Sequence, residues 1–185
     1  MSSRRQFHKY RNPILVETGT QNGEGVADAL ECGFEQVISF EIAPHLHQRC
    51  VARFQNRDNV KLVLGSSARV LYDTIKDVDK PITFWLDGHF SYGETNYDPA
   101  HLCPLLQEID QIARLKNKLQ HTILVDDRRL FAPFGAPHGA DGCFTCSEEE
   151  IKMHLLKVNP DFIFKYEDGY VPNDILVAMP PTFSF

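Results

Sequence analysis

The chain has 185 residues, of which 43% are hydrophobic and 11% aromatic, and this is enough to build the packed core of one domain. Its formal net charge of −6 argues against nucleic acid or a membrane surface as a partner, because both attract a broad cationic face. No apolar run approaches the ~20 residues of a membrane span, and no secretory signal is present, so we expect a cytoplasmic protein. The basic residues of the first dozen positions predict a flexible extension over 1–12, followed by a single domain over 13–185.

Apolar runs rich in Ile, Val and Phe alternate with segments of helical period, which is the pattern of a parallel sheet covered by helices on both faces. The predicted strands are, in chain order, 13–17, 37–41, 60–64, 82–87, 121–126, 161–167 and 173–179. Helices are predicted near 23–33, 44–56, 67–77 and 99–118, and a last one, capped by Ser147, runs to about Val158. The link between the last two strands is too short for a parallel crossover, so these strands should form an antiparallel hairpin.

Two long loops follow the carboxyl ends of predicted strands, from Gly88 to Pro99 and from Ala132 to Cys146. Open α/β sheets bind their ligands at these strand ends. We therefore expect the two loops to form walls of one binding site, and a merely mobile loop is the alternative.

A glycine-rich segment joins the first predicted strand to the first long helix. Its glycines follow the order Gly-x-x-x-Gly-x-Gly, which differs from that of dinucleotide enzymes, and no phosphate loop ending in Gly-Lys-Ser/Thr is present. The acidic residues Glu17 and Glu24 would repel a pyrophosphate, but they suit a ligand that carries an amino group and a sulfonium cation. The predicted cofactor-binding residues of this segment are Glu17, Thr18, Gly19, Thr20, Gly23 and Gly25.

Two further positions favour a nucleoside ligand. Glu41 closes the second strand, 22 residues beyond Gly19, where an acidic side chain can accept hydrogen bonds from both ribose hydroxyls. The alternative for Glu41 is a strand-end carboxylate in water. Ser66 and Ser67 follow the third strand, where they can line the adenine edge or cap the next helix.

With Asp87 at the end of the fourth strand and the terminal hairpin, these motifs resemble a class I S-adenosylmethionine-dependent methyltransferase over nearly the whole chain. The resemblance implies a three-layer, Rossmann-like α/β fold, with the cofactor lying across the first four of seven strands and an antiparallel last strand. It implies that the Glu17 region and Asp87 help to bind the cofactor and that Glu41 meets the ribose. Almost nothing precedes the first strand, where many relatives have a helical cap. Acceptor recognition should then fall to the long loops or to a partner subunit, as in a homodimer.

Carboxylates also follow the fourth and fifth strands, at Asp87 and at Asp126 and Asp127. If these strands are neighbours, ~4.8 Å apart, the carboxylates repel one another, and a divalent cation would relieve the repulsion and polarise an acceptor hydroxyl. The pattern resembles the metal-dependent O-methyltransferases, and more closely the macrocin O-methyltransferase group. That resemblance makes Asp87, Asp126 and Asp127 the ligands of Mg²⁺. It places the general base at His89, where this chain lacks the group's carboxylate, and an imidazole that titrates near neutrality can still remove a hydroxyl proton.

Arg128 and Arg129 directly follow the acidic pair and can neutralise it without a metal, so both arrangements stay open. The predicted activity is transfer of a methyl group from S-adenosylmethionine to a small acceptor such as a sugar diol or a catechol, with His89 and Asp87 as catalytic residues. One alternative is a methyltransferase-like module that has lost catalysis and serves as a binding or scaffold subunit. The other is a nicotinamide-dependent oxidoreductase, against which the order of the glycines counts.

Overall fold

The computed structural model describes residues 3–90, 93–96, 98–100, 103–131 and 146–183. Its seven strands are β1 (Ile14–Thr18), β2 (Gln36–Glu41), β3 (Val60–Leu64), β4 (Ile82–Leu86), β5 (Thr122–Val125), β6 (Ile163–Glu167) and β7 (Ile175–Met179). They form one sheet of order β3-β2-β1-β4-β5-β7-β6. The first five strands are parallel to one another, whereas β7 runs antiparallel to both β5 and β6. The predicted fold class and the terminal hairpin are confirmed, and no predicted strand end is displaced by more than two residues.

In the described residues, six α-helices cover the two faces of the sheet. They are α1 (Arg4–Lys9), α2 (Glu24–Glu31), α3 (Pro44–Arg53), α4 (Ser67–Ile75), α5 (Leu105–Ile112) and α6 (Glu148–Val158). Alternate residues of β1 enter different cores, because successive strand side chains point to opposite faces. Val16 packs with the apolar residues of α4, α5 and α6, and Leu15 packs with those of α1, α2 and α3. The result is a three-layer α/β unit whose ligand-binding edge is formed by the carboxyl ends of the parallel strands.

Helix α5 is shorter than the segment 99–118 predicted for it. It begins at Leu105, directly after Pro104, and it ends at Ile112. Beyond that point the amides of Arg114 and Leu115 bond to carbonyls three residues back, which is a tighter turn than an α-helix. Helix α6, in contrast, has the predicted start, because Ser147 and Glu150 form a reciprocal capping box.

The basic start of the chain forms helix α1, although the sequence predicts a flexible extension there. Phe7 and Tyr10 are fully buried, and the ring of Phe7 lies edge-on against Trp85 at a centroid distance of 5.4 Å. The hydroxyl of Tyr10 donates to Glu167 over 2.6 Å. Residues 3–12 therefore belong to the same folded unit as the sheet. Among the helices of the described ranges, none has the length and apolar character needed to cross a lipid bilayer.

Candidate functional site

The loop after β1 and the end of β4 meet so closely that one of them requires a glycine. The amide of Gly19 donates to the carbonyl of Phe40 in β2 over 3.0 Å, and Gly19 has a left-handed φ of +84°. A Cβ at this position would overlap the carbonyl oxygen of Asp87 and lie 3.1 Å from its carbonyl carbon. Gly19, which the sequence predicts to bind the cofactor, thus also allows the ends of β1 and β4 to approach each other closely.

Glu17 is buried beneath the start of α2. Its carboxylate accepts a hydrogen bond from the hydroxyl of Ser39 over 2.6 Å, and a Cβ on Gly25 would lie 2.9 Å from its carboxyl carbon. Burial, together with repulsion from Asp87 and Glu41, raises the pKa of Glu17 to about 8. An approaching ammonium or sulfonium group would favour the ionised form of this carboxylate, so the environment of Glu17 suits a cationic ligand.

Glu41 is 5% exposed, so it is not a strand-end carboxylate in water. One of its oxygens accepts from the amide of Gln21 and the other from the amide of Ala43, each over 2.8 Å. These bonds fix the loop after β1 to the end of β2. An ionised carboxylate has about four lone-pair sites, so Glu41 can still accept hydrogen bonds from a ligand.

Two cavities lie on either side of this junction, and Gly19, Gln21 and Asp87 line both of them. The first, here called the Glu41 cavity, is also lined by Glu41, Gly65, Ser66, Ser67, Thr95, Asn96 and Asp98. The second, here called the Asp126 cavity, is also lined by Ser3, Gln6, Glu17, Gly25, Trp85, Asp126, Asp127, Arg129 and Tyr170. A ligand that spans both cavities would pass over Gly19 between them.

The Asp126 cavity has a wall that the sequence analysis missed. Ser3 and Gln6 line it from the start of the chain, and Tyr170 lines it from the turn between β6 and β7. The side-chain amide of Gln6 donates to the carbonyl of Asp168 over 2.7 Å and so ties α1 to that turn. Helix α1 therefore contributes to the wall of the Asp126 cavity, a role that the sequence analysis gave to the long loops or to a partner subunit. The predicted wall from the loop 132–145 lies outside the described residues.

Ser66 and Ser67 take different roles from one another. Ser66 occupies the N-cap position of α4 without making a side-chain capping bond, and it lines the Glu41 cavity. The hydroxyl of Ser67 instead donates to Glu108 of α5. The capping role considered for this pair is thus not adopted. Both residues line the Glu41 cavity, and the Ser66 side chain bonds to Asp98 instead of to α5.

Glu108 is a buried acidic residue that the sequence analysis did not single out. It accepts hydrogen bonds from the hydroxyls of Ser67 and Thr18, and Thr18 in turn accepts from the amide of Asp87 over 3.1 Å. Burial raises the pKa of Glu108 to about 7. The chain of bonds links the wall of the Glu41 cavity to the end of β4. The sequence did offer one signal that Glu108 is buried. Glu108 lies four residues before the apolar Ile112, and residues at this spacing share a helix face.

The acidic residues after β4 and β5 are close together, as predicted, but cationic side chains lie among them. The two ring nitrogens of His89 lie 3.3 Å from an oxygen of Asp87 and 3.1 Å from an oxygen of Asp127. Arg129 is 2.5 Å from the other oxygen of Asp127 and also pairs with Asp174. Asp126 accepts a hydrogen bond from the amide of Asp127 over 2.8 Å. Arg129, considered in the sequence as a substitute for a metal, does neutralise one member of the acidic pair.

The charges of this cluster shift several pKa values. Burial alone would lower the pKa of His89, but its hydrogen bonds with Asp127 and Asp87 outweigh burial and raise the pKa to about 10. Burial, helped by Asp87 and Asp127, raises the pKa of Asp126 to about 7. His89, the predicted general base, is therefore protonated at neutral pH, and neither of its ring nitrogens faces away from a carboxylate.

The predicted Mg²⁺ ligands do not form one donor set. Asp87 groups with His89 and Asp127, whereas Asp126 groups with Asp127 and Asp174, with one donor atom of each residue within 4.8 Å of the others. Mg²⁺ requires a near-octahedral set of oxygen ligands at about 2.1 Å. Because both oxygens of Asp127 already face a cationic side chain, the residues as arranged do not fit Mg²⁺.

Comparison with known proteins reveals likeness in fold. The chain matches no protein-family model and no curated protein sequence. It is similar to the structure of a putative caffeoyl-CoA O-methyltransferase from Staphylococcus aureus, at 10% identity over 96% of this chain and 80% of that one, with a TM-score of 0.63. An S-adenosylhomocysteine-bound methyltransferase from Podospora anserina shares 12% identity over 95% of this chain and 75% of its own, with a TM-score of 0.59. The chain has a Rossmann-like methyltransferase fold.

The human N-acetylserotonin methyltransferase, solved in complex with S-adenosylmethionine, shares this fold. It has a TM-score of 0.57 at 12% identity over 97% of this chain and 52% of that one. The neighbours thus include methyltransferases that hold S-adenosylmethionine or its demethylated product. In this fold the predicted residues Gly19, Glu41 and Asp87 lie at one edge of the sheet, around the two cavities.

Proposed function

We propose that the chain is an S-adenosylmethionine-dependent methyltransferase that methylates a hydroxyl group of a small acceptor, such as a sugar or a catechol. The observation that carries this proposal is the pair of buried carboxylates, Glu17 and Glu41, on either side of Gly19, where the two cavities meet. The fold neighbours that hold this cofactor or its product support the same ligand.

Residues of the Glu41 cavity fit the nucleoside half of the cofactor. We assign the ribose hydroxyls to Glu41, whose backbone partners already hold its carboxylate in place. Ser66 and Gly65 line the same cavity and are assigned to the adenine edge. Glu17 and Gly25 line the Asp126 cavity and are assigned to the cationic, amino-acid half. Thr18, Gly19, Thr20 and Gly23 shape the loop between the two halves.

When bound, S-adenosylmethionine supplies an electrophilic methyl group on its sulfonium. The chain's own contribution is placement, because orienting the acceptor hydroxyl for an in-line attack removes much of the entropic barrier. Asp87 lines both cavities, so it lies at the boundary where the reacting groups would meet. Trp85 and Tyr170 give the acceptor side an aromatic wall that suits the face of a catechol or sugar ring.

We assign removal of the hydroxyl proton to Asp126, in place of the predicted base His89. Both ring nitrogens of His89 already contact carboxylates. Asp126 lines the Asp126 cavity near Trp85 and Tyr170, the wall that we assign to the acceptor, and among the described residues it forms no ion pair. A carboxylate in that position can accept a proton through its second oxygen. We further propose that the protein acts in the cytoplasm on a small molecule, without nucleic acid as a partner, consistent with its net charge of −6.

The test is isothermal titration with S-adenosylmethionine, followed by transfer of a radiolabelled methyl group to a panel of catechols and sugars. Glu41→Gln should weaken cofactor binding by roughly 10- to 100-fold, the value of a hydrogen bond to a charged group. The matched control is Glu35→Gln, an exposed glutamate paired with Lys80 at the opposite edge of the sheet, which should bind normally. Absence of cofactor binding by the unmodified chain, or equal binding by both variants, would overturn the proposal. Binding without transfer to any acceptor would instead identify a binding module.

A further inference from the structure

Side chains of the protein itself surround the carboxylates at which a divalent cation was predicted. Asp127 has one oxygen 3.1 Å from a ring nitrogen of His89 and the other 2.5 Å from the guanidinium of Arg129. The second ring nitrogen of His89 lies 3.3 Å from Asp87. His89 thus bridges the ends of β4 and β5, the position that a metal bridging Asp87 and Asp127 would take.

The set of carboxylates formed by Asp126, Asp127 and Asp174 cannot readily bind a metal, for a different reason. Asp174 is 1% exposed, and its carboxylate accepts from the amide and the guanidinium of Arg129 and from the amide of Tyr170. A cation bound between Asp126 and Asp174 would have to displace Arg129 from a fully buried partner. Breaking such a buried pair is costly, because it leaves an unpaired charge in a region of low dielectric.

The set formed by Asp87, His89 and Asp127 could bind a metal only by using the imidazole of His89 as a ligand. In the observed position His89 presents each ring nitrogen to a different carboxylate, and ionised carboxylates only accept hydrogen bonds, so both nitrogens act as donors. A donor nitrogen has no lone pair for a metal. Mg²⁺ also prefers oxygen ligands over imidazole.

We propose that His89 and Arg129 replace the divalent cation at this edge of the sheet, and that the chain binds no Mg²⁺ between Asp87, Asp126 and Asp127. The two side chains hold the carboxylates together, and the acceptor is then oriented by the protein alone. The proposal builds on the proposed methyltransferase function, but it concerns a charge cluster whose metal binding can be measured without any methyl transfer.

The structure also shows which change should create a metal site. His89→Asp places a third carboxylate beside Asp87 and Asp127, and it removes the imidazole that bridges these two residues. The matched control is His154→Asp, because His154 contacts Asp110 over 2.7 Å on the surface of the α5–α6 layer. Both variants lose a histidine–aspartate contact, and only the first lies in the cluster.

The experiment measures the thermal unfolding midpoint of the full chain in EDTA and in millimolar MgCl₂ or MnCl₂. The unmodified chain and H154D should show the same Tm in all three solutions. H89D should gain a metal-dependent rise in Tm, because a ligand that binds only the folded state stabilises it by mass action. If H89D does not fold, H89N frees the same two carboxylate oxygens without adding a charge and should show the rise.

A metal-dependent rise in the Tm of the unmodified chain would overturn the proposal, and so would a folded H89D that gains none. S-adenosylmethionine is added to parallel samples without metal. A chain that shows no Tm response to the cofactor but also none to the metals would refute the proposed function while leaving this inference intact, so the two failures are distinguishable.

Discussion

Replacing Gly19 with alanine tests whether the junction of β1 and β4 positions the cofactor. The new Cβ would overlap the carbonyl oxygen of Asp87 and lie 3.1 Å from its carbonyl carbon and 3.3 Å from the Cα of Gly88. All three atoms belong to the backbone, so no side-chain rotation relieves the overlap. Restoring van der Waals distances requires one strand end to move by on the order of 1 Å.

Gly19→Ala should have two effects, one on the stability of the fold and one on the affinity for the cofactor. The left-handed φ of +84° at Gly19 costs an alanine about 1–2 kcal/mol, which for a chain of this size lowers Tm by roughly 2–8 °C. The displacement of about 1 Å at the boundary of both cavities should reduce cofactor affinity by about 10- to 100-fold, the loss expected when one or two hydrogen bonds to the ligand, each worth about 1.5 kcal/mol, are broken.

The control variant Gly33→Ala separates the effect of the positive φ from the effect of the overlap with the Asp87 backbone. Gly33 has a similar φ of +79°, but among the described residues the atom within 4 Å of its Cβ position is the terminal nitrogen of the Arg11 side chain, which can move away. Both variants should lose about 1–2 kcal/mol from the positive φ, and G19A should show the larger fall in Tm because the overlap with the Asp87 backbone adds to this loss. In isothermal titration only G19A should lose affinity for S-adenosylmethionine. A G19A protein that binds the cofactor as the unmodified chain does would refute the reasoning.

Three further predictions follow from the buried side chains around the site. Burial holds the pKa of Glu17 at about 8, above its ordinary value of 4.5, so the folded state binds a proton that the unfolded state releases, and stability should fall as pH rises from 4.5 to 8. E17Q should therefore give a flatter profile of Tm against pH, and a profile like that of the unmodified chain would contradict the raised pKa. E108A removes the carboxylate that accepts hydrogen bonds from the Ser67 and Thr18 hydroxyls, and it should weaken cofactor binding about 10-fold in isothermal titration. E108Q keeps one acceptor oxygen and should have an intermediate affinity, whereas normal binding by E108A would count against a role of these hydrogen bonds in cofactor binding. Phe7→Ala should cost about 3–5 kcal/mol in chemical unfolding, and a loss below about 1 kcal/mol would be inconsistent with a packed α1.

The strands and the glycine loop were predictable because their signals are local. The run Ile82–Leu86 is buried on both faces, and apart from Thr83 it is apolar throughout, as central parallel strands nearly are. Gly19 and Gly23 both adopt the positive φ that a tight loop between strand and helix requires. The hairpin of β6 and β7 followed from the length of its link alone.

The features that the sequence did not predict depend on contacts between distant segments. Helix α1 has only six residues, too few to show a helical period, and it is held by Trp85 of β4 and Glu167 of β6, which are distant from it in sequence. Glu108 lies in an ordinary amphipathic helix, and only the fold brings it under Thr18. The role of His89 changes for the same reason. An isolated imidazole suits a base, whereas one placed between Asp87 and Asp127 becomes a fixed cation.

The central claim is that both cavities together bind one sulfur nucleoside across Gly19. A crystal structure of the chain grown with S-adenosylhomocysteine tests it most directly. The account predicts ribose hydroxyls within hydrogen-bond distance of the Glu41 carboxylate and the amino-acid half of the ligand on the Glu17 side, with its sulfur beside Gly19 and Asp87. A ligand bound elsewhere on the protein, or one that enters the opposite cavity with its ribose away from Glu41, would contradict the account.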